Sequence, residues 1–233
     1  MYYAMISQID FYVGRMVEEL KRRDLYNDTL IVYTSDHGEY LGFHHMITKG
    51  NRMYDPIVRV PFVMKPPSWA NRSPLRNNDS LFSLIDLFPT IVDVAGIECP
   101  DQLPGFSVFN HQAGRDAVFA EVYEGKEYMI RTREHKLLVH RDPAQSLLFD
   151  MAHDPLEMEN KFNDTRFETI RMDLSDRLIR WSLFDAVPHP YINDDAPVVS
   201  VPKQSGGYDA AGMRRWFEEQ INECLGGTGN EIT

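Results

Sequence analysis

The run of residues 29–34 constrains the fold of this chain more than any other feature. Its letters, TLIVYT, are almost continuously apolar and rich in β-branched side chains. Such a run is typical of a strand buried on both faces, as in a parallel sheet covered by helices. An amphipathic helix precedes it, with apolar side chains at helical spacing at Met5, Ile9, Tyr12, Val13, Met16, Val17 and Leu20. A helix followed by a doubly buried strand predicts an α/β fold.

Three further segments continue this pattern. Residues 59–64 predict a second strand, and Pro61 within it indicates a position near a strand end or a sheet edge. Residues 69–79 are polar and rich in turn formers, which indicates a surface loop. The stretch 83–96 predicts a helix, because it has a proline near its start and a glycine, Gly96, at its end.

From residue 117 onward the pattern changes to short segments of strand character. No long helical pattern separates them, which favours an antiparallel sheet. The predicted strands span residues 117–123, 128–132, 136–140 and 146–149. A helix over residues 166–184 follows, with apolar side chains on one face at Ile170, Leu174, Leu178 and Trp181. Together these elements predict a small α+β subdomain.

The last part of the chain is predicted to be an extended arm. Residues 186–208 are rich in Pro, Gly, Asp and Ser, as linkers are. A short amphipathic helix follows, with apolar side chains at Met213, Trp216, Phe217, Ile221 and Leu225. This helix can pack on its own subdomain or dock on a neighbouring protomer, and the second arrangement would make a homo-oligomer.

Composition excludes several classes of protein. The chain has 24 Lys and Arg against 35 Asp and Glu, a formal net charge of −11, so binding to nucleic acid or a membrane surface is not expected. Two cysteines, Cys99 and Cys224, are too few for a disulfide framework or a four-cysteine zinc site. No signal peptide is visible, and the apolar run 81–97 contains two aspartates and a proline. We expect a soluble protein, whose compartment the sequence does not identify.

The densest set of reactive side chains follows the first predicted strand, where open α/β sheets place their ligands. Asp36 offers a carboxylate oxygen and His37 an imidazole nitrogen, and this adjacent pair on a turn can face one divalent ion. Lys49 can supply an ammonium group to a bound oxyanion. From the spacing alone the simpler interpretation is favoured, in which Asp36 caps the turn and His37 and Lys49 are solvated.

Neighbouring residues are assigned milder roles. Gly38 is expected to let the backbone turn without a Cβ penalty. Glu39 is expected to be a solvated acid. His44 and His45 suggest a metal site, but adjacent histidines in a loop more often face solvent or support other ligands.

Residues 27–64, NDTLIVYTSDHGEYLGFHHMITKGNRMYDPIVRVPFVM, closely resemble the C-terminal half of the sulfatase family, in the alkaline-phosphatase-like superfamily. The resemblance continues through LIDLFPTIVDVAGI, through LPGFSVF with Arg115, and through KLLVHRDPAQSLLFDMAHDPLEMEN, and it extends to about Phe184. It implies that residues 1–115 are the C-terminal half of an alkaline-phosphatase-like α/β sandwich domain. Residues 116–187 would then be a small antiparallel sheet and helix subdomain, and residues 188–233 the arm and terminal helix.

The resemblance also implies a chemistry. Asp36 and His37 would help bind a divalent cation, with Ca²⁺ or Mn²⁺ favoured, and Lys49 would contact the sulfate or phosphate oxygens as the catalytic lysine. The substrate would be a small-molecule sulfate ester. The His-His-x-x-x-Lys arrangement of residues 44–49 resembles phosphonate monoester and phosphodiester hydrolases at least as well as typical arylsulfatases, so a phosphonate or phosphate ester is the alternative.

One departure from the family pattern limits these expectations. Sulfatases use a formylglycine made from the Cys or Ser of a Cys/Ser-x-Pro-x-Arg motif, and neither Cys99 nor Cys224 lies in such a motif. The N-terminal half of the family, with its further metal ligands, is missing too. We therefore expect a C-terminal fragment that lacks the true N-terminus and is inactive in isolation. The alternatives are a truncated or partner-dependent module without catalysis, and, least favoured, a stand-alone metal-binding domain.

Overall fold

A computed structural model describes residues 2–50, 52–70, 72, 80–98, 103–122 and 127–186. The chain divides at residue 191, and all described residues belong to the first compact unit. Cys99 lies outside the described residues, and so do residues 188–233, which hold the predicted arm, the tail helix 213–225 and Cys224. The helices are α1 (Tyr2–Arg22), α2 (Asp55–Val58), α3 (Leu87–Val94) and α4 (Glu168–Arg180). The strands are β1 (Ile31–Thr34), β2 (Phe62–Lys65), β3 (Val118–Glu121), β4 (Glu127–Arg131), β5 (His135–His140) and β6 (Leu147–Asp150).

The first sheet consists of β1 and β2, which pair antiparallel, with Ile31 opposite Lys65. Pro61 directly precedes β2, as its place near a strand end required. The expectation that β1 is buried on both faces of a parallel sheet is wrong for the described residues, where Tyr33 is 39% exposed. An apolar run predicts a strand from local chemistry, but its pairing and covering depend on which other segments reach it.

Helix α1 forms where the sequence predicts it, yet none of its residues is buried. Its most exposed apolar side chains include Tyr3, Phe11 and Met16. The last turn is stabilised by ion pairs such as Lys21–Glu18, at 2.8 Å. The apolar face of α1 is therefore left uncovered by the residues that the structure describes. Among all the residues that the structure describes, no helix is both long and apolar enough to cross a bilayer.

Helix α3 confirms the predicted helix over residues 83–96. Ser83 and Asp86 form a capping box around a short 3₁₀ turn, and the segment ends at Gly96, whose φ is +68°. Asp86 is fully buried and pairs with Arg115, so the start of the helix is tied to a distant loop. A core cluster of Val94, Val108 and Phe109 packs against β2 and against Leu30, the residue before β1.

The second sheet is an antiparallel meander in the order β3-β4-β5-β6, which confirms the predicted strands and their pairing. Helix α4 covers one face, where Leu174 and Leu178 pack on apolar strand residues. The opposite face carries Met129, Leu138 and Phe149, and these contact Met53 in the segment before α2. Both faces of this sheet are therefore covered, and one of them rests on the chain that leads away from Lys49.

Candidate active site

The turn after β1 folds the Asp36 carboxylate back onto the backbone. The His37 amide donates to Asp36 Oδ1 at 2.9 Å, and Ser35 Oγ donates to the carbonyl of His37 at 3.1 Å. The hydrogen bond from the His37 amide is the largest cause that holds the pKa of Asp36 below its usual value. The positive charge of Lys49 acts in the same direction. Asp36 is therefore a carboxylate at neutral pH, and its side chain is 87% exposed.

The imidazole of His37 is oriented by its own neighbour. His37 Nδ1 lies 2.8 Å from the carbonyl oxygen of Gly38, and because a carbonyl only accepts, Nδ1 carries the proton. The lone pair is then on Nε2, which lies 3.7 Å from Asp36 Oδ2 and 3.5 Å from Lys49 Nζ. The structure thus brings together all three side chains that the resemblance singled out.

Gly38 is needed for a reason other than the predicted one. Its φ is not positive, so the turn itself makes no special demand on it. Instead its amide donates to Ile57 O at 2.7 Å, and the next amide, of Glu39, donates to Pro56 O at 3.0 Å. A Cβ at Gly38 would lie 1.9 Å from Pro56 O. The glycine allows the turn to approach the backbone of α2 closely.

The loop between this turn and Lys49 is conformationally strained. Four residues other than glycine have positive φ, at Leu41, His44, His45 and Thr48. The ring of His44 stacks on Tyr54 with centroids 4.7 Å apart, and its Nε2 is buried without a hydrogen-bond partner. His45 is exposed, as expected for a loop histidine. Strain of this kind persists only where surrounding contacts compensate for it.

Those contacts come from Tyr40 and the residues after Lys49. Tyr40 is only 3% exposed, and its hydroxyl donates to Arg52 O at 2.5 Å. Burial raises the pKa of Tyr40, so the hydroxyl keeps its proton. Gly50 has φ of +50°, and a Cβ there would lie 2.9 Å from the Tyr40 ring. Lys49 itself stays exposed, at the end of a loop fixed on both sides.

The donor set suits part of a metal site. Among the described residues, no cluster of three His, Cys, Asp or Glu side chains is arranged to hold an ion. Asp36 and His37 supply one carboxylate and one imidazole lone pair, 3.7 Å apart, and both are donors that divalent cations accept. Ca²⁺ takes about 6–8 oxygen ligands, so further ligands must come from outside this turn. The residues present fit one side of a coordination shell.

Several buried charges near this loop had no signal in the local sequence pattern. Glu127, Lys136 and Glu157 are at most 1% exposed. Lys136 and Glu157 did stand in segments quoted for the family resemblance, as did Asp55, and Lys136 lies between the carboxylates of Asp55 and Glu157. Motif order along the chain does not reveal contacts between motifs. Only the fold shows that these charges meet next to the Lys49 loop.

Comparisons with known proteins address the family and the fold of the chain. The sulfatase family model matches residues 1–97. The uncharacterised sulfatase YidJ of Escherichia coli K12 is 33% identical over 202 residues, which cover 82% of this chain and 39% of the relative. A protein solved in complex with its substrate D-glucosamine-2-N,6-O-disulfate is similar with a TM-score of 0.69 and 28% identity, over 78% of this chain and 40% of that one.

A phosphonate monoester hydrolase of Agrobacterium radiobacter is similar too, with a TM-score of 0.67 and 27% identity, again over 78% of this chain and 40% of that one. The chain thus spans less than half the length of these relatives. Their shared fold is the alkaline-phosphatase-like domain, and the relatives are hydrolases. The chain therefore belongs to the sulfatase family and carries part of its domain.

Proposed function

We propose that the complete protein to which this chain contributes hydrolyses small-molecule sulfate esters with the help of a divalent cation. The observation that carries the proposal is the convergence of Asp36, His37 Nε2 and Lys49 Nζ at the end of β1. A carboxylate, a neutral imidazole lone pair and an ammonium group at one point suit a cation and an anionic ester together. The sulfatase relatives support the choice of ester.

Each side chain has a separate task in this proposal. Asp36 and His37 would hold the cation, Ca²⁺ or Mn²⁺, and the Gly38 carbonyl would keep the His37 ring in the tautomer that leaves Nε2 free. When bound, the cation supplies Lewis-acid stabilisation of charge on an ester oxygen. Lys49 would contact the sulfate oxygens and offset the negative charge that develops as the ester bond breaks.

The chain is proposed to be one part of the catalytic unit. The Cys/Ser-x-Pro-x-Arg motif from which the family makes its formylglycine nucleophile is absent from the sequence. Two donors are too few for a strong cation site, and the apolar face of α1 is uncovered among the described residues. We infer that the nucleophile, the other ligands and the covering layer come from additional sulfatase-type polypeptide. By itself the chain is expected to be inactive.

A phosphonate monoester or a phosphate diester is the second candidate substrate. The phosphonate monoester hydrolase neighbour favours it, together with the His44-His45-x-x-x-Lys49 arrangement. Sulfate and phosphonate monoesters share a tetrahedral, anionic centre, so the same three side chains suit both. Selectivity between them depends on pocket walls that Asp36, His37 and Lys49 do not form.

The test is to express this chain in frame with the coding sequence that precedes it and to assay aryl sulfate, phosphonate monoester and phosphodiester substrates with Ca²⁺ or Mn²⁺. Lys49→Ala is expected to lower kcat by about 100-fold, because it removes a group that stabilises the transition state. Lys161→Ala, which removes a lysine paired with Glu159 elsewhere on the surface, is the matched control and is expected to leave kcat unchanged.

Two results would contradict the proposal. Full activity of Lys49→Ala would show that this lysine does not have the proposed catalytic role. Turnover of any ester by the isolated 233-residue chain would show that no additional polypeptide is needed. In the joined protein, which is this chain expressed together with the preceding coding sequence, the ester that is hydrolysed fastest distinguishes the sulfate from the phosphonate alternative.

A further inference from the structure

Two buried glutamates of the four-stranded sheet subdomain bind the segment that follows Lys49. Glu127 is the first residue of β4, and Glu157 lies in the loop after β6; they are 0% and 1% exposed. Glu127 Oε1 accepts from the amide of Met53 at 3.0 Å, and Glu157 Oε2 accepts from the amide of Asp55 at 2.7 Å. The two amides are two residues apart, just before α2 and at its first residue, so the two glutamates bind neighbouring points of one short segment.

Each glutamate has its own counter-charge. Arg52 Nη1 lies 3.0 Å from Glu127 Oε2. Lys136 is completely buried, and its Nζ lies 2.8 Å from both Glu157 Oε1 and Asp55 Oδ1. Burial raises the pKa of both glutamates, and the neighbouring cations oppose that shift. Each glutamate therefore lies within 3.0 Å of a cation, as a buried ion requires, although Glu127 Oε2 and Glu157 Oε1 make no hydrogen bond there.

The face of the sheet explains how these charges reach the segment. Side chains alternate along a strand, so Glu127 points to the same face as Met129, and Lys136 to the same face as Leu138. That face packs on Met53 and its neighbours rather than on α4. The buried charges are thus aimed at the chain beside the candidate active site, inside an otherwise apolar contact.

The bound segment in turn holds the reactive turn. Pro56 O and Ile57 O accept the amides of Glu39 and Gly38, directly after Asp36 and His37. On the other side, Arg52 O accepts the hydroxyl of Tyr40, whose ring packs on Gly50 beside Lys49. A continuous chain of contacts therefore leads from the two glutamates to both parts of the site.

Apolar side chains would attach a sheet to a neighbouring segment at lower desolvation cost than buried ion pairs. What the ion pairs add is a defined alignment, because each carboxylate accepts from one particular amide. A shift of the segment by one residue would leave buried charges and amides unsatisfied. The arrangement suits a part of the chain that must be placed accurately.

We propose that Glu127 and Glu157 are positioning residues that fix residues 52–57 and, through them, place Lys49 and the Asp36–His37 turn. The inference rests on the proposed function for its catalytic part. It makes the four-stranded sheet a component of the active site's framework, although none of its side chains is proposed to touch the ester.

The first test uses the 233-residue chain and does not depend on activity. In Glu157→Gln, hydrogen exchange at the amides of Gly38 and Glu39 is expected to quicken by about tenfold or more, because the support of Pro56 and Ile57 is weakened. Exchange at Ile130, within the sheet core, should not change. The matched control is Glu159→Gln, which alters an exposed glutamate two residues away.

Two outcomes of this test overturn the proposal: unchanged exchange at Gly38 and Glu39, or an equal acceleration at Ile130, which would indicate a general loss of stability. If Glu157→Gln does not fold, the double variant Glu157→Gln/Lys136→Met removes both charges together and leaves Asp55 beside Arg131, whose Nε lies 3.8 Å away. Hydrogen exchange at the amides of Gly38 and Glu39 is then measured in the double variant, with the same expected and contradicting results.

The second test uses the joined protein. In Glu157→Gln, kcat is expected to fall by about 100-fold while KM changes little, because a displacement of Lys49 and the turn by about an ångström misaligns the reacting groups. Glu159→Gln should retain full kcat. Unchanged kcat in Glu157→Gln, with altered exchange, would overturn the catalytic part of the inference. If the joined protein hydrolyses no ester at all, the proposed function fails, whereas the exchange experiment still tests the contact chain.

Discussion

The two sheets of this chain differ in how completely they are covered. In the four-stranded sheet, Ile130, Leu137 and Leu148 are all 0% exposed, and α4 and the segment around Met53 cover opposite faces. In the two-stranded sheet, Val63 is 62% exposed. The region with the closed core bears no candidate catalytic group, and the region with the candidate site is open. Stability and chemistry are therefore supplied by different parts of the chain.

The closed, four-stranded sheet supports the open region that carries the candidate site. An open turn with an 87% exposed aspartate cannot hold its own geometry through burial. The contacts that fix it come from α2 and the segment before it, which rest on the closed sheet. The comparison predicts that substitutions in the closed sheet change stability, and that substitutions at the contact between the two regions change the site.

The largest expected effect is in the closed core. Leu148→Ala should lower the free energy of unfolding by about 2–5 kcal/mol, because it opens a cavity beneath α4. Leu156→Ala, at a leucine that is 61% exposed, should change it by less than about 0.5 kcal/mol. Urea unfolding followed by circular dichroism measures both. Equal effects would show that the sheet is not the stable region.

An intermediate effect is expected where the two regions meet. Gly38→Ala should cost about 1–3 kcal/mol, because its Cβ collides with the backbone oxygen of Pro56. The matched control is Gly14→Ala on α1, where a Cβ meets nothing within 4 Å. That change should raise the stability by about 0.4–1 kcal/mol through the unfolded chain. Thermal unfolding compares the two variants, and a tolerated Gly38→Ala would mean that the turn does not press on α2.

The smallest effect concerns the start of α4. Asp164 accepts hydrogen bonds from the guanidinium and, to a smaller effect, from the amide of Arg166, and these lower its pKa from 3.8 to about 2. A depressed pKa in the folded state means that the stabilisation is present above pH 3.8 and is lost as the pH falls towards 2. Asp164→Asn should therefore be slightly less stable than the natural chain at pH 7.

The measurement is the urea midpoint of unfolding of the natural chain and of Asp164→Asn at several pH values between 7 and 2. The difference between the two midpoints should vanish at the acid end. Asp173→Asn, at an exposed aspartate within α4, serves as the matched variant. A difference for Asp164→Asn that stays constant with pH would show that the carboxylate charge is not the cause.

Local chemistry predicted most of the elements and the antiparallel pairing of the second sheet, but not the pairing in the first sheet. The capping box of Ser83 and the positive φ of Gly96 bound a helix that the sequence had already delimited. The antiparallel pairing of β1 with β2 could not be predicted, because residues 31 and 65 meet only through the fold. The exposure of Tyr33 differs from expectation for the same reason, since an apolar run does not state what covers it.

The site was predicted in the same partial way. Spacing alone favoured solvated roles for Asp36, His37 and Lys49, and only the family resemblance singled them out. The structure brings the three side chains together, while their catalytic roles stay predictions. The burial of Glu127 and Lys136 was not predicted at all. In the sequence of a short strand, a charged residue on the buried face cannot be distinguished from one on the face toward solvent.

The complete burial of Lys136 has a practical consequence for the study of this chain. Lys49 and Lys136 are both primary amines, but only Lys49 is open to solvent. An acylating reagent applied to the native chain should therefore modify Lys49 and spare Lys136. Peptide mapping would then report on two properties of one sample. Label on Lys136 would mark molecules whose sheet has opened, and protection of Lys49 would mark molecules in which the candidate site is occupied.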